Sequence, residues 1–82
     1  MSQVLNEIET TIKSRLPDAI VMVKDPQNDG QHFEALVVSA QFEGLSLVKQ
    51  HQLVMNALKE QFKETVHALA LKTLTPSQWE RS

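Results

Sequence analysis

The chain has 82 residues, 41% of them hydrophobic and 22% charged, which suits one small soluble domain over 1–82 and leaves no room for a second. Ten acidic against eight basic side chains give a net charge of −2, and the basic ones are scattered singly, which argues against strong backbone-driven binding to nucleic acid. Cysteine is absent, so disulfides, thiol catalysis and a self-contained thiolate metal site are excluded together.

The opening stretch MSQVLNEIETTIKSRL carries acids and lacks a long apolar core, so it does not read as a signal peptide. Its Val4, Leu5, Ile8, Ile12 and Leu16 form a helical stripe, which predicts a helix over 3–16 with Ser2 as N-cap and Pro17 as its stop. The β-branched run DAIVMVKD predicts a first strand. Pro26, Asn28, Asp29 and Gly30 form a turn cluster. HFEALVVSA then predicts a second strand, with Phe33, Ala35 and Val37 on one face and Leu36 and Val38 on the other. These two strands make an antiparallel hairpin.

QFEGLS is a break, where Gly44 marks a turn and Ser46 can cap a second helix. Apolar positions at Leu47, Val48, His51, Val54, Met55, Leu58 and Phe62 predict that helix from Leu47 to Phe62. A third strand is expected over 66–72. Thr75, Pro76 and Gln78 then spell a capping box for a short last helix, which Trp79 would anchor to the body. The order is α-β-β-α-β-α. A helical crossover between strands two and three favours a parallel pair. The expected architecture is α+β, a three-stranded mixed sheet with helices packed on one face.

Two histidines gain meaning from that order. His32 is expected to begin strand two and His67 strand three, so parallel neighbours would bring both to one edge of the domain. Taken alone, a histidine is more often a hydrogen-bonded surface residue than a ligand. His51, on the stripe of the second helix, reads as half-buried packing. Imidazole suits zinc, copper or iron, but two imidazoles do not complete a four-coordinate site. Asp25, Asp29 and Glu34 are the nearest candidate carboxylates, and no ligand motif such as HExxH is present. Two glycines leave no Gly-rich phosphate loop, and no serine sits in a nucleophile setting, so no catalytic residues are expected.

The stretch HFEALVVSAQFEGLSLVKQHQLVMNALKEQF, followed by VHALALKTLTPSQW, resembles the BolA family over nearly the whole chain. The elements that carry the likeness are F-E-G-L-S at Phe42 to Ser46, K-Q-H-Q-L-V at Lys49 to Val54, and V-H-A-L-A-L with T-P-x-x-W at Val66 to Trp79. The resemblance implies a fold similar to the class II KH domain. It also implies partnership with a monothiol glutaredoxin of the C-G-F-S type. In such pairs a [2Fe-2S] cluster is shared, with the glutaredoxin cysteine and glutathione on one side and the BolA-like chain on the other. The implied ligand in the V-H-A motif is His67. The second ligand position, histidine or cysteine by subgroup, matches His32; no ligand role is carried to His51.

A non-enzymatic adaptor in iron–sulfur trafficking or iron sensing is therefore expected, without a cofactor when alone and cytoplasmic in location. A homodimer is the alternative state of the free chain. No membrane contact is expected. The resemblance also implies a second description, a DNA-binding transcriptional regulator. Against it, the KH loop G-x-x-G cannot form where the only glycines, Gly30 and Gly44, stand fourteen positions apart, so DNA binding is expected to be weak. A plain interaction domain whose histidines never meet metal remains the third alternative.

Overall fold

A computed structural model of the chain describes residues 3–27, 32–63 and 65–81. The elements run in the predicted order: α1 (Gln3–Arg15), β1 (Ile20–Lys24), β2 (Phe33–Val38), α2 (Leu47–Leu58), β3 (Leu69–Leu74) and α3 (Pro76–Arg81). The Ser2 cap and the Asn28, Asp29 and Gly30 part of the turn cluster lie outside the described residues.

The sheet order is β1-β2-β3. β1 pairs antiparallel with β2, from Ile20 opposite Val38 to Lys24 opposite Glu34. β2 pairs parallel with β3, from Phe33 opposite Leu69 to Val38 opposite Leu74. The crossover through α2 explains the parallel sense, since parallel neighbours need a long connection.

One sheet face is the floor of the core. Val21, Phe33, Ala35, Val37 and Leu69 meet Ile8, Ile12 and Leu16 of the α1 segment and Val54 and Leu58 of α2. The helical spacing of Ile8, Ile12 and Leu16 puts all three on one side of α1, and each is at most 1% exposed. The α1 and α2 helices thus cover this face, as the sequence predicts. α3 packs against β3, and its Trp79 reaches the rim of the opposite face.

The caps behave as their residue types dictate. Ser46 Oγ accepts from the Lys49 amide at 3.3 Å, opening α2. The Gln78 amide donates to Thr75 Oγ1 at 3.3 Å while the Thr75 amide donates to Gln78 Oε1 at 2.9 Å, a reciprocal capping box. Gly44 adopts φ +80°, which side-chain-bearing residues rarely take, and this turns the chain into α2.

Three expectations need correction. The third strand begins at Leu69, not at residue 66, because Thr65–Ala68 form a 3₁₀ turn. An unbroken apolar run cannot reveal where a turn ends and pairing begins. Helix α2 ends at Leu58, one turn early, and Phe62 is tied back by its amide to the Leu58 carbonyl at 2.8 Å. The buried stripe of α2 also starts differently: Leu47 and Val48 are exposed, and Gln50 is buried in their stead.

Gln50 tolerates burial because its amide is satisfied. Its Nε2 donates to the Leu45 carbonyl at 2.9 Å and the Phe42 carbonyl at 3.4 Å. Its Oε1 accepts from Thr73 Oγ1. A buried amide left without partners would cost about 1–3 kcal/mol, so this network joins buried Val54 and Leu58 in setting the face of α2. Among the described residues no buried side-chain polar atom lacks a partner.

Candidate functional site

Parallel pairing of β2 with β3 settles where the two strands begin. Phe33 and Leu69 are their first partnered residues, and both are buried. His32 stands one residue before Phe33, and His67 two residues before Leu69. Both histidines are exposed. Each is therefore tied to the core by a close chain neighbour while its own side chain meets solvent. The structure brings both to one end of neighbouring strands. It places His67 on the 3₁₀ turn rather than within the strand, so the expectation that the strand ladder holds His67 is corrected.

His51 is not brought to this edge. It is half-buried in the first half of α2, and the adjacent Gln50 is bonded to Thr73, toward the far end of β3. Glu34 is exposed on β2 and stands opposite Lys24 at the histidine end. Asp25 comes directly after β1 and is half-buried; Asp29 lies outside the described residues.

A neutral imidazole offers one nitrogen lone pair to a borderline metal, and such metals take four donors in a stable tetrahedral site. Among the described residues no group of three or more histidine, cysteine, aspartate or glutamate side chains is placed to hold a metal ion. Among the described residues the donor set at this edge is therefore partial. Two exposed imidazoles fit a site completed by donors from another molecule, and they fit poorly with a metal held by this chain alone.

The other end of the sheet is organised by Asp18, which sequence patterning did not single out. Its carboxylate accepts from the Ala40 amide at 2.8 Å, from Ser39 Oγ at 3.0 Å and from Gln41 Nε2 at 3.2 Å. Ser39 Oγ in turn accepts from the Gln41 amide at 3.1 Å, capping the 3₁₀ turn Ala40–Phe42. The Ala40 amide above all holds the Asp18 carboxyl below its ordinary value; desolvation opposes this, and the Ser39 and Gln41 bonds add to the lowering. The Ser39 amide donates to the Leu74 carbonyl at 3.1 Å, so this clamp joins the α1–β1 turn to the far ends of β2 and β3. The signal available in sequence was a serine just before a short turn, but its partner lies 21 residues away.

The second face of the sheet is open. Strand alternation puts Ile20, Met22 and Lys24 of β1, Glu34, Leu36 and Val38 of β2, and Ala70, Lys72 and Leu74 of β3 on it. Of these, Met22, Lys24, Glu34, Leu36, Lys72 and Leu74 border, with Trp79, a shallow groove of about 480 Å³, whereas Val38 is buried. No helix of the described residues is long and apolar enough to cross a membrane.

Comparison with known proteins agrees with this geometry. The family described as BolA-like protein matches residues 4–78. Protein BOLA2 of Arabidopsis thaliana is 41% identical over 75 residues, which cover 89% of this chain and 80% of that protein. The structure of a bolA protein homologue from Coxiella burnetii has a TM-score of 0.77 at 39% identity, covering 93% of this chain and 95% of its own. The solution structure of yeast Fra2 has a TM-score of 0.74 at 30% identity, covering 99% and 88% respectively. Element order, mixed sheet and family match thus converge, and the chain belongs to the BolA-like protein family.

Proposed function

We propose that this protein is a non-enzymatic adaptor that binds a monothiol glutaredoxin of the C-G-F-S type and contributes imidazole ligands, His67 and His32, to a [2Fe-2S] cluster shared with that partner and glutathione. The carrying observation is the parallel register that starts β2 and β3 side by side, with an exposed histidine just ahead of each. Imidazole ligation of iron in two-iron clusters is chemically well founded and raises the reduction potential relative to thiolate ligation. The chain lacks cysteine, so thiolate and sulfide must come from outside it.

The residues of this chain have simple tasks in that scheme. Buried Phe33 and Leu69 fix the backbones beside the ligands. His67 and His32 present nitrogen donors from the sheet edge. The cluster is cargo shared between two proteins, in trafficking or in iron sensing. DNA-binding regulation gains no support from the surface: the groove lysines Lys24 and Lys72 share their face with Glu34, and the net charge is −2.

The test is to mix the protein with cluster-loaded monothiol glutaredoxin and glutathione. A heterodimer with a changed visible spectrum is expected. Two unassociated proteins with an unchanged spectrum would end this account.

A further inference from the structure

The open sheet face is more apolar than a solvated surface requires. Ile20 and Met22 are 44% and 40% exposed on the outer strand β1. Met22 faces Leu36, which faces Lys72, so one row across the sheet runs apolar, apolar, basic. Trp79 and Leu74 add apolar surface at the β3 side. Parallel strands are ordinarily covered on both faces. Here α3 has only six residues and sits at β3; Val38 at the end of β2 is buried, while Ile20 and Met22 of β1 stay exposed.

The dimensions suit one kind of cover. Three strands about 4.8 Å apart span roughly 10 Å between the outer two, close to the width of one α-helix. Strands of five or six residues run about 17–20 Å, the length of roughly three helical turns. The charges choose its character. Lys24 stands opposite Glu34, and among the described residues no ion pair joins them. Lys72 stands opposite Leu36, and among the described residues no carboxylate forms an ion pair with it. We infer that this face docks an amphipathic α-helix of a partner protein, its apolar stripe on Met22, Leu36 and Trp79 and an acidic residue beside Lys72. A single-stranded nucleic acid fits less well, because the face offers one aromatic ring and sets Glu34 among its bases. The groove lies on the sheet face and the histidines at its edge, so the inference stands apart from cluster binding.

Trp79 is the only tryptophan, so its emission reports on the groove. Two tryptophan-free helical peptides of about 14 residues, roughly four turns, would share one leucine stripe and differ in a glutamate or a lysine polar face. The glutamate peptide should give a saturable blue shift of Trp79 and bind more tightly than the lysine peptide. Lys72→Glu should weaken the glutamate peptide by about tenfold or more and reverse the preference. Met22→Glu should weaken both peptides, and His67→Ala neither. Lys72 is exposed, so its variant decides the matter even where Met22→Glu unfolds the chain. Equal binding of the two peptides, no saturable shift with either, or a shift produced by oligothymidylate but not by the glutamate peptide would each overturn the inference.

Discussion

The hydroxyl of Thr73 donates to the side-chain carbonyl of Gln50 at 2.7 Å, in the interior and across 23 residues of sequence. This bond joins β3 to α2, and with the Gln50 bonds to Leu45 and Phe42 it fixes how the crossover helix enters the fold. Together with buried Val54 and Leu58 it holds one face of α2 inward, and Leu47 and Val48 are left exposed.

Gln50→Ala should therefore destabilise the protein by about 1–3 kcal/mol, because it strands the Thr73 hydroxyl and takes the side-chain donor from the Leu45 carbonyl, while the Phe42 carbonyl keeps the Leu45 amide. Thr73→Val alone should cost about 1 kcal/mol or more, and the double variant less than the sum. Urea unfolding of the four proteins in a double-mutant cycle measures this. Strict additivity would show that the bond does not couple the two elements.

The Asp18 clamp predicts a pH dependence of defined sign. The folded-state pKa of Asp18 lies below the ordinary 3.8, so its stabilisation is fully present above that value and is lost as pH falls through the folded pKa. Asp18→Asn should thus be less stable than wild type at neutral pH, with the gap closing on acidification below pH 3.8. Thermal melts of both proteins from neutral to acid pH check it. A gap that widens on acidification contradicts the assignment.

Gly44 needs its left-handed backbone but no empty space, since a Cβ placed there meets nothing within 4 Å. Gly44→Ala should cost about 1–2 kcal/mol through backbone strain alone, and Gly44→Asn less, because asparagine tolerates this region. Chemical denaturation of both variants separates strain from packing: equal losses would rule out a backbone origin.

Much of the fold was legible because local signals and burial agree. The alternation of Phe33, Ala35 and Val37 against Leu36 predicted both faces of β2, and Thr75, Pro76 and Gln78 spelled out the start of α3. The parallel sense of β2 and β3 could be read from the helix between them. Apart from the early end of α2, the errors depend on partners far along the chain. Val66, His67 and Ala68 look like strand residues, yet pairing begins only where Leu69 meets Phe33. Gln50 looks like a surface residue until Thr73 supplies its hydrogen bond. Asp18 stood in the run read as the first strand, yet it lies in the turn before β1, where Ser39, Ala40 and Gln41 close around it. At the candidate site, order along the chain was enough to bring His32 and His67 to one edge, and the 3₁₀ turn under His67 was not visible.

Stability and ligation should separate cleanly at that edge. Leu58 is fully buried, and Leu58→Ala should cost about 2–5 kcal/mol. His32→Ala and His67→Ala alter exposed side chains and should stay within about 0.5 kcal/mol of wild type. Thermal melts of the free proteins test this contrast. A His67→Ala chain that fails to fold would make that histidine structural.

The central claim is that His67, with His32, ligates a shared cluster, and visible circular dichroism of each variant mixed with cluster-loaded monothiol glutaredoxin and glutathione tests it most directly. His67→Ala should lose the heterodimer spectrum and shorten cluster lifetime most, and His32→Ala should leave a complex with an altered spectrum or faster cluster loss. A His67→Ala mixture with the spectrum and cluster lifetime of wild type would contradict the account.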